Sequence, residues 1–305
     1  MAKQFRGVYA IPPTPFTEGD RIDAESLRQI VDFCVTSGVH GIVAPVNASE
    51  GPFLTDEERR TVVEIIVEQT NGRVPVVAGV SSVSTRATLE HARHAESAGA
   101  DALMAMPPYV RHPTADEIPA FYTALASESR LPIFIQNYVV PVGTPMSASL
   151  VARLMRELDN VSYLKEETAQ APQLMTQIKA LAGQAMLGMM GGMAGRYLLD
   201  EYARGACGTM PACEVADAHV SVWNALEAGD EKLARERFRL LLPLLNYESM
   251  FGIVVYKEVL RRRGIIANAR VRAPGSPSLD EHNHRELDAI LRDLAPLLAL
   301  GARTG

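Results

Sequence analysis

Ser37-Gly38-Val39-His40-Gly41-Ile42-Val43-Ala44 joins the end of one regular segment to the start of another of a different kind. Before it, Asp23 precedes Leu27, Ile30, Val31, Cys34 and Val35, the spacing of one helical face, and Gly38 ends that face. After it comes a short apolar, β-rich run. The same spelling, a helix-ending glycine followed by a new strand, recurs at Ala98-Gly99-Ala100-Asp101-Ala102 and at Arg204-Gly205-Ala206-Cys207-Gly208. A second spelling, Arg73-Val74-Pro75-Val76 and Arg130-Leu131-Pro132-Ile133, puts proline at a strand's first residues, where its missing N–H is tolerated.

Outward from these junctions the alternation covers most of the chain. Strand-like runs stand at 7–11, 41–44, 74–80, 102–106, 133–136, 161–165, 185–189 and 205–210, with helical patterns between them. One helix opens on Thr55-Asp56-Glu57-Glu58, which fits a capping box, and continues with Val62, Val63, Ile66 and Val67. Eight strands, each followed by a helix, are the number that closes a parallel sheet into a barrel. A doubly wound open sheet would place a glycine-rich phosphate turn after its first strand, where Pro12-Pro13-Thr14-Pro15 stands instead. The pattern therefore predicts an α/β fold, a (β/α)₈ TIM barrel over residues 1–228. Beyond Cys213 the pattern is helical throughout, at 215–227, 231–246, 250–263 and 279–300, with Pro274, Gly275 and Pro277 interrupting the last part. The first of these is the eighth barrel helix, and a C-terminal helical appendage is expected over 229–305.

The chain has 305 residues, of which 47% are hydrophobic, enough for a large buried core. Its net charge of -6 and the lack of any basic block longer than Arg261-Arg262-Arg263 leave no footprint for nucleic acid. That triplet precedes Gly264 at the end of a helical pattern, where cations suit the helix terminus. No apolar run approaches a membrane span, and Met1-Ala2-Lys3-Gln4 lacks the apolar core of a signal peptide, so a cytoplasmic protein is expected. Cys34, Cys207 and Cys213 are odd in number and widely spaced, and read as reduced core thiols. His91 with His94, and His282 with His284, lack the further ligands of a zinc site and read as solvated or capping residues. Gly188-Met189-Met190-Gly191-Gly192-Met193-Ala194-Gly195 lacks the Lys-Ser/Thr of a phosphate loop. Its glycines are expected to let backbone approach a substrate, and its methionines to pack. No metal or cofactor is expected, and the partner is a small molecule.

Only five of the 30 basic residues are lysines. Lys3 is terminal, Lys179 and Lys232 lie on amphipathic helices, and Lys257 lies on the long helical stretch near the C-terminus. Lys165 ends the strand Val161-Ser162-Tyr163-Leu164, and the C-terminal ends of barrel strands carry the chemistry. Desolvation there disfavours ammonium, so the free amine can attack a ketone; the competing reading is an inert ion pair with Glu166 or Glu167. If the extended backbone persists, Glu167 faces the same side as Lys165 while Glu166 points outward. Glu167 is then the nearest candidate for a general acid or base.

These residues resemble the dihydrodipicolinate synthase and N-acetylneuraminate lyase family over nearly the whole chain. Asn47-Ala48-Ser49-Glu50 looks like the family's Gly-Thr-Thr-Gly-Glu loop, with only Glu50 kept literally. Pro107-Pro108-Tyr109 resembles its Pro-Tyr-Tyr segment, Leu164-Lys165-Glu166 fits its Schiff-base lysine, and Gly191-Gly192 sits at its glycine-containing loop. Gln136 stands where the family has a catalytic tyrosine, with Tyr138 two positions on, and Val139-Val140-Pro141-Val142-Gly143 lacks the arginine that holds a second carboxylate in the synthases. Asn47-Ala48-Ser49-Glu50, Gln136, Lys165-Glu166-Glu167-Thr168 and Pro243-Leu244-Leu245-Asn246 are similar to the branch that contains L-2-keto-3-deoxyarabonate dehydratase.

The resemblance implies a lyase that binds a 2-keto acid as a Schiff base on Lys165, with Glu167 as acid/base and Gln136 orienting a hydroxyl. It further implies that Asn47, Ala48, Ser49, Glu50, Thr168, Gly191 and Gly192 bind substrate and that Tyr109 closes the site or relays a proton. Dehydration of a 2-keto-3-deoxy sugar acid, a pyruvate-releasing aldol cleavage, and a non-catalytic sugar-acid-binding barrel remain the readings to separate. Family members commonly form tetramers, so a homo-oligomer is implied as well.

Overall fold

The computed structural model describes residues 4–139 and 142–299; Lys3, Val140, Pro141 and Leu300 lie outside them. Eight parallel strands close into a barrel in sequence order. They are β1 (Gly7–Ala10), β2 (Gly41–Ala44), β3 (Val76–Gly79), β4 (Ala102–Ala105), β5 (Ile133–Tyr138), β6 (Val161–Glu167), β7 (Gly188–Gly191) and β8 (Gly208–Thr209). The helices between and after them are α1 (Ala24–Thr36), α2 (Asp56–Thr70), α3 (Thr85–Ala98), α4 (Ile118–Glu128), α5 (Ala148–Glu157), α6 (Ala171–Ala182), α7 (Leu198–Ala203) and α8 (Ala216–Glu227).

The junction glycines do what their spelling implies. Gly38, Gly99 and Gly205 take φ of 81°, 94° and 91°, the left-handed region that a side chain resists. Thr55 and Glu58 form the expected capping box at the start of α2. Two strands depart from expectation: the run expected at 185–189 is found at Gly188–Gly191, because Gly183–Ala185 forms a helical turn first, and the run expected at 205–210 is a strand only at Gly208–Thr209.

Alternation along each strand sorts side chains into two layers. In β5, Phe134 points into the barrel while Ile133 and Ile135 pack outward under the helices. In β6, Tyr163 points inward and Leu164 outward. Phe5, Phe134 and Tyr163 fill the barrel's lower interior, with Phe134 and Tyr163 stacked at 4.6 Å and Phe5 edge-on to both. The apolar floor leaves the upper ends of the strands for polar residues.

Beyond α8 the chain forms α9 (Glu231–Phe251), α10 (Ile253–Arg262) and α11 (Glu281–Leu294). The break falls at Gly252 (φ 53°), later than the 247–249 interval expected, so α9 runs through Pro243 to Phe251. Residues of α9, α10 and α11 share one buried cluster with α1, α2, α8 and β1. Among the described residues, no helix is long and apolar enough to cross a membrane.

Candidate active site

The last residues of β5 and β6 set the site. Gln136 pairs in register with Lys165, Asn137 with Glu166 and Tyr138 with Glu167. Because side chains alternate, the first and third pairs face the barrel mouth and the middle pair faces out. Lys165 Nζ lies 3.0 Å from Glu167 Oε2. Gln136 Nε2 donates to the same oxygen at 2.8 Å, and the Met193 N–H donates to Glu167 Oε1 at 3.2 Å. Both carboxylate oxygens of Glu167 are therefore held. The outward pair is a separate network: Asn137 Nδ2 and the Thr168 N–H each donate to Glu166 at 2.8 Å. Burial still raises the Glu166 pKa above the usual carboxylate range, against those two donors.

A cavity of about 350 Å³ opens over Lys165, Glu167, Gln136 and Tyr138, within the range of small-molecule sites. Asn47 and Ala48 line one wall, and Met193, Ala194 and Arg196 another. Glu248, Ser249, Gly252, Ile253 and Tyr256, from the corner between α9 and α10, form its roof. Burial above all, and then the negative charge of Glu167, raises the Tyr138 pKa, so its phenol holds its proton.

The loop after β2 is a tight turn. The N–H groups of Ser49 and Glu50 are consumed inside it, by Val46 O and Asn47 O at 3.0 Å each. The Asn47 amide is buried without a partner among the described residues, as is the Ser49 hydroxyl. Buried donors in that state require an acceptor from elsewhere. Thr14 Oγ1 fixes the turn by donating to Ser49 O at 2.6 Å.

Several expected site residues sit elsewhere. Glu50, at φ 59°, turns its carboxylate away from the cavity to the ammonium of Lys257 and to the N–H groups of Arg272 and Ala273, at 2.7 and 2.6 Å. Lys257, read as an ordinary helical lysine, is fully buried with it. Tyr109 is half-buried beside a small pocket shared with Arg59, Asn47 and Gln136, outside the main cavity wall. Thr168 contributes its backbone to Glu166. The glycines after β7 make room for carboxylates: a Cβ on Gly191 would lie 1.8 Å from Glu201, and one on Gly192 would lie 2.2 Å from Glu167. Glu201 is buried without a hydrogen-bond partner among the described residues. Burial, with repulsion from Glu167, Asp200 and Glu166, pushes its pKa up to about 8. His91 is buried as well, with its pKa pushed down to about 4, so it is not the solvated residue its spacing suggested.

Arg196, Glu248, Ile253 and Tyr256 carry no local motif, and no spacing along the chain distinguishes them from packing or surface residues. Glu248, Ile253 and Tyr256 reach the cavity only through the tertiary course of the C-terminal helices, while Arg196 reaches it from the turn after β7.

The sequence is 34% identical over 298 residues to an L-2-keto-3-deoxyarabonate dehydratase of Azospirillum brasilense, covering 96% of each chain. It is 31% identical over 291 residues to a 4-hydroxy-tetrahydrodipicolinate synthase of Rhizobium meliloti, covering 94% of this chain and 98% of that one. Among solved structures, a putative dihydrodipicolinate synthetase from Pseudomonas aeruginosa superposes with a TM-score of 0.89 at 28% identity, over 95% of this chain and 99% of that one. Residues 4–294 match the Dihydrodipicolinate synthetase family. With a closed barrel, a lysine at the end of β6 and a match running nearly from end to end, the chain belongs to that family and is a lyase.

Proposed function

We propose that the enzyme dehydrates a 2-keto-3-deoxy sugar acid, such as L-2-keto-3-deoxyarabonate, through a Schiff base on Lys165. The observation that carries this reading is the contact of Lys165 Nζ with Glu167 at 3.0 Å, with Gln136 holding the same carboxylate oxygen. The amine must give up a proton before it attacks, and Glu167 is the acceptor within reach. Attack on the ketone carbon and loss of its oxygen as water leave an iminium, which acts as an electron sink. Glu167, as carboxylate, removes a C3 proton, and the electron pair of that C–H bond forms the enamine. The enamine then expels the C4 hydroxyl, which takes the proton from Glu167 and leaves as water. Hydrolysis of the unsaturated iminium frees Lys165 and the dehydrated keto acid. The buried Asn47 amide, at one wall of the cavity, is the donor suited to the substrate carboxylate.

Aldol cleavage would instead need a base to take the C4 hydroxyl proton. Tyr138 lines the cavity, but its raised pKa keeps the phenol protonated and makes it a poor base. That difference supports the dehydratase reading. Incubation with 2-keto-3-deoxy acids should give a dehydrated keto acid and no pyruvate; pyruvate without any dehydrated product would sink the reading. Borohydride reduction in the presence of substrate should leave an adduct mass on Lys165, and a sugar-acid-binding barrel without catalysis would leave none. The tetramer implied by the family resemblance belongs to the same proposal and is checked by light scattering.

A further inference from the structure

The turn after β7 brings Arg196 to the cavity through strained backbone. Met193, Ala194 and Gly195 take φ of 49°, 60° and 74° in succession, and the first two carry side chains that resist the left-handed region. Backbone of that kind persists where its surroundings over-determine it. Here the Met193 N–H donates to Glu167 Oε1 at 3.2 Å, the Gly195 N–H donates to Gly192 O at 2.8 Å, and His219 Nε2 lies 3.0 Å from Ala194 O. Arg196 follows, and its Nη2 donates to Leu245 O of α9 at 2.9 Å. Its Nε is buried without a partner among the described residues. Nη1 has no hydrogen bond among the described residues either, but unlike Nε it is not sealed from solvent. Of the charged residues that line the cavity, Lys165 and Glu167 hold each other at 3.0 Å and both oxygens of Glu248 are buried. Among the described residues, Arg196 therefore supplies the charged donor that is free to meet a ligand.

We propose that Arg196 is a specificity-determining residue: its Nη1 donates a hydrogen bond to a hydroxyl oxygen on the distal end of the keto acid. The proposal rests on the sugar-acid reading above and adds the group that recognises the hydroxylated end. Asn47, the donor suited to the substrate carboxylate, and Arg196 line different walls, with Lys165 on the floor. A keto acid joined through its ketone carbon to Lys165 directs its carboxylate to one wall and the rest of its chain to the other. A hydroxyl needs one donor, whereas a guanidinium clamps a carboxylate through Nη2 together with Nε or Nη1. Nη2 is already bonded to Leu245 O and Nε is buried, so the arrangement favours a hydroxylated end over a second carboxylate.

The test is calorimetric titration with L-2-keto-3-deoxyarabonate, with pyruvate, which has no distal group, and with 2-ketoglutarate, which has a distal carboxylate. The Glu167→Gln variant serves as the parent, because slowed turnover lets binding be read. Adding Arg196→Leu should weaken the sugar acid by about tenfold or more relative to its effect on pyruvate, the scale of one hydrogen bond to a charged group. Adding Arg196→Lys should weaken it in the same sense by about threefold or more, because one ammonium nitrogen cannot stand both at Leu245 O and at the Nη1 position. The lysine variant decides the matter if the leucine variant does not fold. Equal losses for the sugar acid and pyruvate, as a merely structural tie between the turn and α9 would give, overturn the proposal. So does no loss for either, or a larger loss for 2-ketoglutarate than for the sugar acid. Borohydride trapping of wild type and Arg196→Leu runs alongside. If the discrimination appears but no adduct forms on Lys165 of wild type, the Schiff-base reading fails and this one stands. Adducts without discrimination give the reverse, and if neither wild type nor parent binds the sugar acid, both fall.

Discussion

Among the described residues, two lysine–glutamate pairs are buried, and their surroundings differ. Lys257 and Glu50 are sealed, with no exposure of either residue. Glu50 also takes two backbone N–H groups, while Lys257 donates to Arg270 O at 2.7 Å and sits 4.4 Å from the centre of the Phe16 ring. Their contacts tie the loop after β2 to the segment after α10. Lys165 and Glu167 are nearly as buried, but they form the floor of an open cavity, and Lys165 is held by the carboxylate it faces. A lysine with every partner supplied by the fold is structural, while one facing space can accept a ligand. Burial alone does not separate the two; what lies beyond the ion pair does.

The comparison breaks most visibly at the two lysines. Lys165→Ala should lower turnover by at least about 10⁴-fold, as removal of a covalent nucleophile does, and abolish the borohydride adduct. Its unfolding midpoint should stay near that of wild type, because Gln136 and Met193 still hold Glu167. If Lys165→Ala unfolds the protein instead, its pair belongs with the structural one. Glu167→Gln should lower kcat by about 10²–10⁴-fold, the range for a positioned acid/base, while mass spectrometry still finds the keto acid on Lys165.

Lys257→Met should act in the opposite sense. It strands the Glu50 carboxylate in a sealed site, at a cost of about 3–5 kcal/mol by chemical denaturation, while the protein that remains folded still forms the Lys165 adduct. Burial pushes the Lys257 pKa down to about 8 even with Glu50 beside it, so desolvation outweighs the attraction. Adding Glu50→Gln to Lys257→Met should accordingly recover part of the loss, since an amide oxygen still accepts from Arg272 and Ala273 without a charge. No recovery in the double variant would mean that the ion pair itself holds the loop.

The sequence makes one of these pairs legible and conceals the other. Lys165 and Glu167 are two residues apart on one strand, so period-2 alternation places both in the mouth once the strand is recognised. Gln136 and Tyr138 follow by the same rule on β5. Glu50 and Lys257 are 207 residues apart, and helical periodicity says which face of α10 is buried without saying what lies across from it. Glu248 and Tyr256 are hidden for the same reason. The shift of β7 has a local cause. Gly188 falls inside the expected run and Gly191 beyond it, and both are strand positions kept bare because Cys207 and Tyr163, in one case, and Glu201, in the other, occupy the space of a side chain.

Glu201 extends the comparison to a buried glutamate with no cation partner among the described residues. It packs against Gly191 on the outer side of β7, and burial keeps its proton up to about pH 8. In the unfolded chain it ionises near 4.5, so between those values the folded state binds the extra proton. Stability from this residue is full below about pH 4.5 and is lost as pH rises from there through about 8, by an amount on the order of 5 kcal/mol. Glu201→Gln, neutral at every pH, should remove that slope and be the more stable protein at pH 9, measured by denaturant titration across the range. Equal slopes in the two proteins would show that Glu201 is ionised when folded, and it would then need a cation as Glu50 does.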